Sequence, residues 1–156
     1  VDITQPDSST LCKNMYNNGA DGYNAGTFSS DLINSYAWDT AVIFIQTFGE
    51  GEASNYSNQV NCTSFATTGG AGDEYCNIND LSGNACEWST ETGLSLNSNG
   101  PCVKRGGYYT NVILSPVLYT SARRNYSTSS GGSGTIVQYD GDDGAFRPLL
   151  YVALAE

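Results

Sequence analysis

No histidine occurs among the 156 residues of this chain. That removes the commonest general base and the commonest transition-metal ligand. Ser-His-Asp and Cys-His catalysis are excluded with it. Positive charge is scarce too: 6 Lys and Arg stand against 16 Asp and Glu, a net charge of −10 and a sequence pI near 4.1. Such a chain is repelled by nucleic-acid backbones and anionic lipid surfaces. Charged residues make up only 14%, below the usual quarter. No CxxC pair is present, which argues against a zinc knuckle. Long apolar runs are also missing. The longest free of Tyr, Ala41-Val42-Ile43-Phe44-Ile45, is far short of the ~20 residues of a membrane span, so this segment is not expected to insert into a bilayer.

What is abundant is small and uncharged. Asn (15), Ser (18) and Thr (14) together account for 47 residues, and 18 Gly and 11 Tyr add to them. With 39% hydrophobic residues, the chain carries enough apolar material for one core. A coiled coil is excluded by composition, and a disordered acidic tail by the 12% aromatic content. Five cysteines with little Lys suggest an oxidising, extracellular setting. The first residue is Val, and an export or anchoring segment is expected to precede it. The sequons at Asn55, Asn61 and Asn125 bear on the surface only in a glycosylating host.

Along the chain, residues 1–7 read as a linker or entering strand. Ser8 or Ser9 is expected to cap a short helix carrying Leu11, Cys12, Met15 and Tyr16 on one side, ended by Gly19. Ser29 or Ser30 is expected to cap a longer helix, with Asp31 in its first turn. Leu32, Ile33, Tyr36, Ala37, Ala41, Phe44 and Phe48 follow helical spacing as its apolar face, and Gly49 stops it. Beyond Glu50 the helical period disappears. Short strands are expected at 84–90, 102–109 and 149–154, with a loop-rich stretch at 50–80 and a Ser/Gly/Tyr-rich segment at 110–148. Helices first and a small irregular sheet afterwards make a single α+β domain.

Four separated stretches carry the remaining information. They are Asp80-Leu81-Ser82-Gly83-Asn84-Ala85-Cys86-Glu87-Trp88, Arg105-Gly106-Gly107-Tyr108-Tyr109, Ala122-Arg123 and Gly144-Ala145-Phe146-Arg147. With Tyr36-Ala37-Trp38-Asp39, their order and spacing over about residues 30–154 resemble the formylglycine-generating-enzyme (sulfatase-modifying factor) family. That resemblance implies a C-type-lectin-like fold: two helices on the N-terminal side and a small, twisted, mainly antiparallel sheet with long loops. Enzymes of the family use two cysteines after the Arg-Gly-Gly run. Those places hold Asn111 and Pro116 here, and neither can supply a thiolate. Other enzymatic members rely on His-containing iron sites.

The chain is also similar to the variable proteins of diversity-generating retroelements, which use the same fold for binding. In them, the residues between Arg-Gly-Gly and the closing Phe-Arg are diversified at adenines and form a ligand-binding face. The matching residues here are Tyr108, Tyr109, Asn111, Val112, Ile113, Leu114, Ser115, Val117, Tyr119, Asn125, Tyr126 and Ser127, within the segment 108–143. Tyr offers rigid amphipathic area and Ser adaptable hydrogen bonds, as in antibody paratopes. The expected function is non-catalytic ligand binding, receptor- or adhesin-like, towards a protein or glycan on a bacterial or phage surface. The chain would then be the C-terminal part of a longer surface protein. An oxidase or oxygenase of the same fold and a structural pilus or tail subunit are the alternatives.

Two further expectations concern covalent and metal structure. Cys86 is expected to pair with Cys102 through a hairpin-like return at Gly93, Gly100 and Pro101, and Cys62 with Cys76 across Gly69-Gly70, leaving Cys12 as a buried thiol. The resemblance also implies a structural calcium ion held by the side chains of Asp80 and Glu87 and the carbonyls of Gly83 and Ala85. The competing reading is that these carboxylates pair with Arg105 or Arg147, since Arg105, Arg123 and Arg147 each sit beside apolar or Gly residues.

Overall fold

A Thr-x-x-Asp capping arrangement starts the first helix. In the computed structural model, which describes residues 3–17, 28–58, 66–70, 72–92, 102–107, 120–121, 123–126 and 145–152, helix α1 spans Gln5–Asn17. The Asp7 N–H donates to the Thr4 hydroxyl oxygen at 3.3 Å, and that hydroxyl donates to the Asp7 carboxylate at 2.6 Å. The cap is therefore Thr4, not Ser8 or Ser9, and residues 5–7 are helix rather than linker. Ser8 and Cys12, four residues apart, form the buried face, and Leu11 and Met15 remain about half exposed.

The stretch after it also departs from the expected helix start. Phe28–Leu32 is a strand, β1, in which Ser30 and Leu32 are buried, the alternation of a strand. The helix cap lies further on, at Asn34, whose side-chain oxygen accepts the Ala37 N–H at 2.8 Å. Helix α2 spans Ser35–Phe48 and ends at Gly49, where the N–H reaches the Ile45 carbonyl at 2.7 Å. Its buried residues are Trp38, Val42 and Ile45, while Tyr36, Phe44 and Phe48 face outward. Residues 41–45 are apolar all round the helix, so periodicity alone could not select the inward face.

A kinked 3-10 helix, Gly51–Asn58, follows and buries Ala53 and Tyr56. Strands β2 (Glu74–Tyr75) and β3 (Ile78–Asn79) form a minimal antiparallel hairpin. Both residues of its loop, Cys76 and Asn77, have positive φ, as a tight primed turn requires. Strands β4 (Glu87–Thr92), β5 (Cys102–Arg105), β6 (Arg123–Tyr126) and β7 (Ala145–Phe146) form a sheet of order β6-β5-β4-β7. Only its β4–β7 pairing is parallel. A last strand, β8 (Pro148–Val152), pairs antiparallel with β1, so the N-terminal and C-terminal parts of the domain meet in one ribbon. The described elements make a mixed α+β fold.

Two apolar clusters hold these elements together. Leu32 joins Cys12, Trp88 and Cys102, with Ile3 and Phe146 packed against them. Its neighbour Ile33 joins Trp38, Val42, Ile45, Ala53, Tyr56 and Leu81. One dipeptide thus enters both clusters, since successive residues of extended chain face opposite ways. Gly106, just after β5, lies directly on Trp38. Its φ is +74°, and a Cβ there would come within 3.1 Å of the Leu81 carbonyl oxygen and of the Trp38 ring.

The β4–β5 register corrects the expected Cys86–Cys102 bridge. Glu87 pairs with Arg105, and Cys102 with Thr92, so the two cysteines lie towards opposite ends of the ladder and are not joined. A separation of about four residues along antiparallel strands is roughly 13 Å, well beyond the ~7 Å that a disulfide tolerates between Cα atoms. Cys62 lies outside the described residues, so the second expected pair does too. Cys76 is in the β2–β3 loop.

Two measurements check this architecture. Gly106→Ala combines a left-handed backbone with overpacking against Trp38 and should lower unfolding stability by about 2–4 kcal/mol in urea titrations. A loss below about 1 kcal/mol would mean that the backbone has room. Burial, assisted by the charge of Asp31, pushes the Cys12 thiol up to about 11, and burial also raises Cys102. The thiolate is the reactive form, so iodoacetamide at pH 8 should label both far more slowly in the folded protein than in urea. The sign for stability follows: Cys12 favours folding below the ordinary thiol range, and that contribution fades as pH rises towards 11. Rapid labelling of folded Cys12 would contradict its place in the core.

Candidate functional site

Trp38 and Asp39 on α2 lie beneath the Arg-Gly-Gly run. Arg105 has a 3% exposed side chain and ion-pairs with Asp39, while its Nη1 lies 3.5 Å from Glu91 on β4. Its guanidinium sits 5.8 Å from the centre of the Trp38 ring, within cation–π range. Glu91 also pairs with Arg123, so one carboxylate links β5 to β6. The Trp38 indole N–H donates to the Thr120 carbonyl at 3.1 Å, and the Ser121 N–H donates to the Ser57 carbonyl at 3.1 Å. Gly107 and Thr120 are both buried. Gly106 and Thr120, fourteen residues apart in sequence, therefore both meet the Trp38 side chain.

A second polar assembly surrounds the Asp80 turn. The Asp73 carboxylate accepts the Tyr56 hydroxyl at 2.6 Å and the Ser82 N–H at 2.7 Å, and the Asp80 N–H donates to the Asp73 carbonyl at 2.8 Å. Asp80 and Asn84 both have positive φ, a conformation that Asp and Asn tolerate better than most residues. The Asn84 amide bonds both the N–H and the carbonyl of Ala66, and Asp80 Oδ2 accepts the Gly69 N–H at 2.6 Å. Arg147, after β7, grips Glu87 through Nε and Nη2 at 2.9 and 2.8 Å, and Nη2 also donates to the Asn79 carbonyl at 2.8 Å. Burial pushes the Glu87 carboxyl up, the Arg147 guanidinium pulls it back, and the charge of Asp80 adds to the rise. A cavity of about 590 Å³ opens beside these groups, between Ala66–Thr68 and Ala145–Pro148.

Both Glu87 oxygens are committed to Arg147, and Asp80 keeps one carboxylate oxygen without a partner. No group of three or more His, Cys, Asp or Glu that could hold a metal ion occurs among the described residues. Calcium wants six to eight oxygens. An ion on Asp80, Gly83, Ala85 and Glu87 would have to share Glu87 with the Arg147 guanidinium. The competing reading of these carboxylates holds for Glu87 with Arg147.

Of the ligand-face residues, Asn125 and Tyr126 lie on strand β6, where their backbones pair with Val103 and Cys102. Tyr108, Tyr109, Asn111, Val112, Ile113, Leu114, Ser115, Val117, Tyr119 and Ser127 lie outside the described residues. Arg105, Arg123 and Arg147 are all paired with carboxylates, as their sequence settings suggested. Asp39 and Glu91, however, were not foreseen as partners. The signal for Asp39 was its place beside Trp38 in the motif. Nothing local marks Glu91 or Asp73.

Removing one member of a buried ion pair strands the other. Arg147→Met should therefore lower unfolding stability by about 3 kcal/mol, while excess EDTA should leave the wild-type transition unmoved. A chelator-dependent shift in the wild type would restore the calcium reading. No family model, curated protein or solved structure matches the chain.

Proposed function

We propose that this is a non-catalytic ligand-binding domain of the C-type-lectin-like, formylglycine-generating-enzyme type, displayed outside the cell or on a virion. In this reading its binding face is built by the segment 108–143, in the manner of retroelement-diversified variable proteins. One observation carries the reading: motif segments far apart in sequence are neighbours in space. Arg105 reaches Asp39, Gly106 packs on Trp38, Arg147 holds Glu87, and β4 pairs with β7.

The described residues that flank this stretch in sequence, Gly106 and Thr120, both meet Trp38. A rigid scaffold carrying a fixed-end segment rich in Tyr, Asn and aliphatic residues suits recognition. The partner is a protein or glycan. A binding rather than oxidative role is supported by Asn111 and Pro116 at the places of the enzymes' cysteines and by the lack of histidine. Among the described residues no helix is long and apolar enough to cross a membrane.

Deep sequencing of the gene from a growing host population tests the proposal. Substitutions at adenines should concentrate in the codons for 108–143, and a uniform background rate would count against it. In parallel, the Tyr109→Ala, Asn111→Ala, Tyr119→Ala triple variant should lose binding to host cells or a glycan array. Its melting temperature should stay within a few degrees of the wild type, because exposed substitutions cost little stability. A collapse in stability would place those residues in the core instead.

A further inference from the structure

Helix α2 carries a second apolar face, opposite the one it buries. Tyr36 is 86% exposed, Ile43 61%, Phe44 44% and Phe48 66%. At 3.6 residues per turn, these residues fall on the side away from Trp38, Val42 and Ile45, with the exposed Thr40 and Thr47 among them. The Phe44 and Phe48 rings already touch, with centroids 5.0 Å apart. The Thr47 hydroxyl donates to the Ile43 carbonyl at 2.8 Å, so covering it strands no donor. The only charged residue of α2 is Asp39, which is ion-paired with Arg105. An exposed apolar patch of roughly several hundred Å² marks an interaction surface.

We infer that this face packs against the same face of a second copy of the chain. The two α2 helices run antiparallel, about a two-fold axis passing between Thr40 and Ile43. Charge, spacing and area each point to that occupant. The chain carries a net charge of −10, so two copies repel one another over most of their surface. The outward stripe of α2 brings no charge to the contact. Tyr36, Thr40, Ile43 and Thr47 are four, three and four residues apart, the spacing of a helix-packing seam. In an antiparallel pair centred there, Tyr36 of one copy lies opposite Thr47 of the other, and Ile43 opposite Thr40. Each layer then sets a large side chain against a small one, which suits close packing. A parallel pair would set Tyr36 on Tyr36 and Thr40 on Thr40, crowding one layer and hollowing the next. Covering the exposed parts of Tyr36, Ile43, Phe44 and Phe48 in both copies removes on the order of 1,000 Å². That is the lower bound of a specific interface, so the dimer is weak and depends on concentration. This inference does not rest on the segment 108–143, so either can fail without the other.

Sedimentation equilibrium of the full chain from about 1 μM to about 1 mM reads the association directly. A monomer–dimer transition should appear within that range. Ile43→Glu sets like charges near the axis and should weaken the dimer at least tenfold. Its melting temperature should stay within a few degrees of the wild type, because position 43 is exposed. Thr40→Glu should do the same from the facing position. Cross-linking reads the register. With oxidised glutathione present, an equal mixture of Tyr36→Cys and Thr47→Cys chains should yield a peptide joining positions 36 and 47, and Tyr36→Cys alone should yield no 36–36 link. A chain that stays monomeric throughout the range overturns the inference and leaves the face to a different partner. So does a dimer that both Ile43→Glu and Thr40→Glu leave unchanged, since it forms elsewhere. A 36–36 link also overturns it, because that link belongs to the parallel pair.

Discussion

Trp38 is the point through which the parts of this domain communicate. It is fully buried on α2, and two segments distant in sequence rest on it. Gly106 packs against its ring, the Arg105 guanidinium lies over its face, and its indole N–H holds the Thr120 carbonyl. Each contact has a different physical origin: close packing that only glycine permits, cation–π attraction, and a buried hydrogen bond. Such a residue cannot be exchanged for another aromatic without loss, because Phe lacks the N–H and Tyr places its polar group elsewhere.

A second constraint ties the chain's late residues to its middle. Arg147 bonds Glu87 in bidentate fashion and also caps the Asn79 carbonyl, while its own carbonyl accepts the Ile33 N–H. One residue therefore connects β4, the end of β3 and the run between β1 and α2. Buried ion pairs add little net stability over apolar packing, but they penalise wrong arrangements heavily. In a chain poor in charge, the few guanidinium groups serve as registers. Arg105 and Arg123 act likewise through Glu91, which sets β5 and β6 about β4.

The polar turn from Asp73 to Glu87 shows how a stretch without periodic structure is held. Tyr56 and Ser82 share one oxygen of Asp73, the Asn84 amide clamps Ala66, and Asp80 takes the Gly69 N–H. Side chains here do the work that a backbone ladder does elsewhere. One oxygen of Asp80 is buried and left without a hydrogen-bond partner.

Composition and motif by themselves determined a good deal: an acidic, histidine-free α+β chain, strands at 84–90 and 102–109 that overlap the observed 87–92 and 102–105, a helix ended by Gly49, and arginines destined for carboxylates. These follow from local chemistry, since charge, turn residues and apolar spacing act over a few positions. Tertiary structure decided the rest. It made Phe28–Leu32 a strand because β8 was there to pair with it. It chose Trp38, Val42 and Ile45 as the inward face of a helix that is apolar nearly all round. It set the β4–β5 register that parts Cys86 from Cys102, and it brought Asp39 and Glu91 to Arg105. Pairing partners, strand register and the buried side of a helix whose middle turn is apolar all round depend on groups dozens of residues away. No local pattern carries that information.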